Sequence, residues 1–120
     1  MARILDLEEF SDERGALCVI ENQLPFEIRR VYWIYEASGV RGGHAHKVTR
    51  QGLVSVSGRC QVDVKTKKES DIYILDRPNQ VLLLDPEDWH TMSHFTKDSV
   101  LAVFASHPYS KEDYIMEMPN

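Results

Sequence analysis

The sequence predicts an all-β single domain, a sandwich or barrel of jelly-roll type. Three observations predict it. Apolar residues alternate with polar ones at a period of two almost throughout, or run together in short stretches rich in Val, Ile, Leu and Tyr. Turn formers separate these stretches, at Asp12-Glu13-Arg14-Gly15, Gly42-Gly43, Ser57-Gly58, Arg77-Pro78-Asn79 and Asp85-Pro86-Glu87-Asp88. No long segment carries an apolar period of 3.6 residues, so helices are not expected to build the core.

Taken in order, residues 17–21 form an apolar stretch directly after the Gly15 turn, and 30–35 mix β-branched and aromatic side chains. Residues 53–57 and 60–65 alternate, with Cys60, Val62 and Val64 set against Gln61, Asp63 and Lys65. Residues 71–75 and 90–95 read the same way, whereas 80–84 and 100–106 run apolar, as strands buried on both faces do. The tail from Ser110 to Tyr114 makes at most one turn of helix, with Ser110 as its cap.

Size and charge bound the function. A chain of 120 residues suits one domain, here taken as 1–120, with no room for a second catalytic module. Its 14 basic residues against 19 acidic ones give a net charge of −5, which disfavours nucleic acid as a partner, because phosphate needs a basic face. No apolar run reaches the roughly 20 residues of a membrane span, and residues 1–10 lack the apolar core of a secretory signal. The 2 cysteines, Cys18 and Cys60, lie apart in strand-like segments. A reduced, cytoplasmic protein is the expectation.

The average charge hides a local exception. From Ala37 to Val62 there is no Asp or Glu, while Arg41, Lys47, Arg50 and Arg59 fall there together with His44 and His46. That stretch suits a small anion. Residues two apart in a strand share a face, so His44 and His46 point one way and Ala45 the other. Two imidazoles on one face of a barrel strand are metal ligands, catalytic bases or surface residues with no role. The metal reading uses His44, His46, Gln51 and His90, but the amide of Gln51 is a poorer ligand for a divalent cation than a carboxylate.

The surrounding residues narrow the choice. Arg41-Gly42-Gly43-His44-Ala45-His46-Lys47 resembles the Arg-Gly-x-His-Ala-His-Lys signature of the dTDP-4-oxo-6-deoxyglucose 3,4-ketoisomerases, the WxcM-like branch of the cupin superfamily. Other landmarks agree in order: Asp12-Glu13-Arg14-Gly15, Pro25-Phe26, Arg29-Arg30-Val31-Tyr32, Gln51, Gly58, Trp89-His90 and Ser110 to Ile115. The resemblance spans Ile4 to Ile115. It departs at Gly43, where an aromatic residue is common, and in a shorter tail.

The resemblance implies a cupin barrel that moves a ketone from carbon 4 to carbon 3 of a dTDP-linked 4-keto-6-deoxy sugar through an enediol, for deoxy-amino sugar synthesis. It implies no metal and no redox cofactor. His44 is then the principal base and His46 its partner in proton delivery or positioning. Tyr32, Arg41 and Tyr35 are candidates to stabilise negative charge on the sugar oxygens, with Gln51 as an amide donor. Arg14, Arg30, Arg41 and Lys47 are the candidates for the diphosphate. His90 lines the pocket. The same resemblance implies a homodimer with exchanged N-terminal strands. Two other readings stay open on the residues: a metal-dependent cupin enzyme, and a sugar-nucleotide-binding cupin without catalysis.

Overall fold

A computed structural model describes residues 1–120. Its strands are β1 (Arg3–Asp6), β2 (Glu8–Asp12), β3 (Gly15–Val19), β4 (Arg30–Tyr35), β5 (Arg41–His46) and β6 (Gln51–Ser57). They continue with β7 (Cys60–Lys65), β8 (Ser70–Leu75), β9 (Gln80–Leu84), β10 (Trp89–Ser93), β11 (Val100–Ala105) and the short β12 (Tyr114–Ile115). One five-stranded sheet has the order β1-β9-β6-β11-β4, the other β12-β5-β10-β7-β8, and β2 pairs only with β3. Every pairing is antiparallel. This is the expected all-β jelly-roll architecture.

The core explains where a site can form. Ile34, Leu53, Val62, Val64, Leu75, Leu82, Met92, Leu101 and Val103 pack between the sheets in one cluster. Side chains two residues apart share a face, so Tyr32 follows Ile34 inward on β4, Gln51 follows Leu53 on β6, and His90 follows Met92 on β10. Each wall thus carries an apolar residue in the core and a polar one further along. A smaller cluster of Leu7, Leu24, Val54, Val81 and Leu83 covers the outer face of the first sheet.

The structure departs from expectation in several places. The segment before residue 17 already holds two strands, β1 and β2, and β3 starts at Gly15 and ends at Val19. Gly42-Gly43 is not a turn between strands but lies inside β5. The strand expected over 90–95 ends at Ser93, because His94 turns to φ 54°, outside the extended region. The tail forms a 3-10 turn, Lys111–Asp113, in which Ser110 occupies the cap position without a capping bond. Its hydroxyl donates instead to Glu112 Oε2 at 3.1 Å.

Candidate active site

The two glycines set the geometry of the site. Gly42 and Gly43 both have φ 84°, a left-handed conformation that glycine adopts without a Cβ penalty. His90 stands opposite His44, while the next residue, Thr91, stands opposite Gly42, so Gly43 is the extra residue of a β-bulge. A Cβ on Gly42 would come within 3.0 Å of the His90 carbonyl oxygen. The bulge lets β5 press against β10 and sets His44 beside His90.

Three imidazoles meet there. The His44 ring centroid lies 5.1 Å from those of His46 and His90, and His46 and His90 are 6.4 Å apart. Tyr114 of β12, paired with His46, closes over them at 4.6 Å from His44 and 4.8 Å from His46. As expected, His44 and His46 share a face, and Ala45 between them is buried on the other side.

Burial lowers the pKa of His44, the neighbouring His46 lowers it further, and a hydrogen bond to the Gly42 backbone opposes both. Burial likewise drives His90 down to about 4, against its hydrogen bond to the Asp88 carbonyl, made through Nδ1 at 3.0 Å. Both rings are therefore mostly neutral at pH 7 and carry lone pairs. His46 is 5% exposed, its Nδ1 lies 2.8 Å from Asp113 Oδ2, and its buried Nε2 has no partner.

Polar donors complete the wall. Gln51 Nε2 donates to the Tyr32 hydroxyl at 3.3 Å, which leaves the Tyr32 proton free for another acceptor. Burial pushes the Tyr32 pKa up, with opposing influence from Arg30 and smaller influences from Tyr114, Gln51 and Arg41. Tyr32 accordingly stays protonated. The Arg30 guanidinium sits 4.5 Å from the Tyr32 ring centroid and 5.4 Å from that of Tyr109, a cation held over aromatic faces.

The structure thus brings together His44, His46, His90, Tyr32, Gln51 and Arg30, with Arg41 in electrostatic reach at the start of β5. It does not bring Tyr35 there. Tyr35 sits an odd number of residues from Tyr32 and points outward, 60% exposed. Arg14 lies in the β2–β3 turn, paired with Asp12 at 2.6 Å and open to solvent. Lys47 follows β5 with its side chain exposed and its amide bonded to the Asp113 carbonyl at 2.8 Å. No role for Asp113, Thr49, Tyr109 or Tyr114 follows from the sequence alone. Asp113 and Tyr114 entered only as landmarks of the tail, and their link to His46 exists only in the folded chain.

Of the four residues of the metal reading, His44, His46 and His90 come together, while the Gln51 amide is turned to Tyr32. A cavity of about 720 Å³ lies on the Ala45 side of β5, and no imidazole lines it.

Comparison with known proteins follows the same lines. The chain matches the family described as FdtA: WxcM-like, C-terminal, over residues 1–120. It is 37% identical over 122 residues to the TDP-4-oxo-6-deoxy-alpha-D-glucose-3,4-oxoisomerase of Aneurinibacillus thermoaerophilus, covering 98% of this chain and 88% of that protein. The crystal structure of the 3,4-ketoisomerase QdtA of Thermoanaerobacterium thermosaccharolyticum, in complex with TDP, superposes with a TM-score of 0.93 at 33% identity, covering 97% of this chain and 88% of that one. The TDP-quinovose 3,4-ketoisomerase WlaRB of Campylobacter jejuni gives 0.92 at 35% identity, covering 97% and 92%.

Proposed function

The chain belongs to the FdtA, WxcM-like family, and from that premise we propose that it is a dTDP-sugar 3,4-ketoisomerase acting on dTDP-4-oxo-6-deoxyglucose. The observation that carries this reading is the cluster of three imidazoles inside the barrel, with His46 Nε2 buried and unpartnered.

The reaction needs a base at carbon 3, an acid at carbon 4 and donors for the oxygens between them. One imidazole removes the carbon 3 hydrogen as a proton, and the electron pair moves toward the carbon 4 carbonyl, whose oxygen takes up a proton to give the enediol. Protonation at carbon 4 and loss of the carbon 3 hydroxyl proton complete the transfer, so no net electron, proton or oxygen enters or leaves. His44 and His46 share this proton work. The sequence placed His44 first; the buried, oriented ring of His46 supports equal standing for it. Tyr32 and Arg41 face the growing negative charge, and each well-placed donor in such a site lowers the barrier by roughly 3–4 kcal/mol. Arg30, Arg41 and Lys47 serve the diphosphate, and His90 stays neutral and lines the pocket.

Incubation with dTDP-4-oxo-6-deoxyglucose in heavy water, followed by NMR, tests the assignment. The expected product carries its ketone at carbon 3 and deuterium at carbon 4. A folded protein that leaves the ketone at carbon 4 without exchange at carbon 3 refutes it.

The same reading extends to assembly. We propose a homodimer in which the N-terminal strands are exchanged. Support comes from the β2–β3 hairpin, which pairs with no other strand and exposes Phe10 and Leu17, and from the outer face of the edge strand β4, where Val31, Trp33 and Tyr35 lie open. Exchange would also carry Arg14 toward the neighbouring barrel. Sedimentation analysis should give a dimer for this chain and a monomer for Trp33→Asp combined with Leu17→Asp; a wild-type monomer at micromolar concentration defeats the proposal. The unpaired Cys18 and Cys60 and a nucleotide-linked substrate support a cytoplasmic setting.

A further inference from the structure

One buried anion is not used by the chemistry above. Asp113, in the 3-10 turn after the last long strand, is 7% exposed, and both of its oxygens are fully engaged. Oδ2 faces His46 Nδ1 at 2.8 Å and accepts from Thr49 Oγ1 at 2.5 Å. Oδ1 accepts from the amides of Val48 at 2.8 Å and Lys47 at 3.1 Å. Burial alone would raise the pKa of this carboxyl, but the bonds from Thr49, Val48 and His46 outweigh it and hold it at about 2. At neutral pH Asp113 is therefore an acceptor with no proton to give.

An acceptor-only partner fixes the tautomer of a neutral histidine. In the neutral ring the hydrogen of His46 then sits on Nδ1, where Asp113 can receive it, and the lone pair on Nε2. That Nε2 is the buried atom without a partner. We propose that Asp113 is a positioning residue for the isomerisation: it locks His46 in the Nδ1–H tautomer and turns the basic Nε2 into the barrel. This rests on His46 carrying protons in the proposed reaction. It also makes the tail a working part of the site, because the two-residue strand β12 docks Tyr114 against His46 immediately after Asp113.

Asparagine at this position discriminates orientation from simple bracing. In Asp113→Asn the side-chain oxygen stays with the amides of Val48 and Lys47, which only donate. The NH2 group then faces His46 Nδ1 and converts that nitrogen to an acceptor, moving the ring hydrogen to Nε2. Long-range ¹H–¹⁵N NMR of the imidazoles reads this directly in the substrate-free protein. The expected result is an Nδ1–H signature for His46 in the wild type, an Nε2–H signature in Asp113→Asn, and a loss of at least about 100-fold in kcat with KM within threefold. The proposal is overturned by an Nε2–H tautomer in the wild type, by a variant with the switched tautomer and kcat within threefold of wild type, or by lost kcat with the tautomer unchanged. If the variant does not fold, the wild-type spectrum decides alone. If the wild type does not turn over the sugar nucleotide, the proposed function fails while the spectrum still decides whether Asp113 fixes the ring.

Discussion

His46→Asn is expected to lower kcat for the ketone shift by about 10³-fold or more, with KM within about threefold. General acid–base catalysis by one positioned side chain contributes about 10²–10⁴-fold, and His46 sits at the demanding end of that range. Its Nε2 is buried without a partner, its Nδ1 is tied to Asp113, and it touches both His44 and Tyr114. Asparagine keeps a polar group against Asp113 but has no lone pair basic enough to take a carbon-bound proton. The other donors, Tyr32, Gln51 and Arg30, remain in place, so binding should survive while turnover does not. A parallel His44→Asn variant separates the two rings. If one imidazole serves both carbons, only its own replacement costs the full factor; if the pair divides the work, both do. A folded His46→Asn enzyme within tenfold of wild type removes His46 from the chemistry.

The legible part of this site is the part that local alternation controls. His44 and His46 are two residues apart, so any strand through them puts both rings on one face, and the ring contact at 5.1 Å follows. The same alternation separates Tyr32 from Tyr35, three positions apart, and that consequence could have been drawn from the sequence as well. Asp113 is different. It lies 67 residues from His46, and only the pairing of β12 with β5 brings them together. The first two strands carry little sequence signal because Arg3, Asp6, Glu8 and Glu9 look like loop residues, while β1 is an edge strand and β2 lies wholly exposed. Gly42-Gly43 reads as a turn from composition, yet it serves as a bulge, since its partner strand and register are set by residues 89–93.

Gln51→Glu should cost about 100-fold in kcat at pH 7, far more than Gln51→Leu, for which about tenfold is expected. The two variants separate charge from the loss of one amide donor. Gln51 is 3% exposed and donates to the Tyr32 hydroxyl, so a carboxylate there reverses the hydrogen bond: Tyr32 would donate to Glu and its proton would no longer reach the sugar. The new negative charge also opposes the charge that grows on the substrate oxygens, in a site where water does not screen it. Finally, an anion among neutral imidazoles favours the imidazolium form and raises their pKa, which removes the base at neutral pH. The sign is checkable. Wild-type activity falls on the acid side as His44 takes up a proton, and in Gln51→Glu that limb should move to higher pH, so activity recovers in part as pH is raised. In Gln51→Leu the limb should stay where it is or move down, because burial without charge further disfavours the imidazolium. Steady-state rates from pH 5.5 to 9 at saturating substrate, with folding checked by circular dichroism, give the comparison; equal losses in the two variants, or an unshifted acid limb in Gln51→Glu, show that the neutrality of this amide is not what the reaction requires.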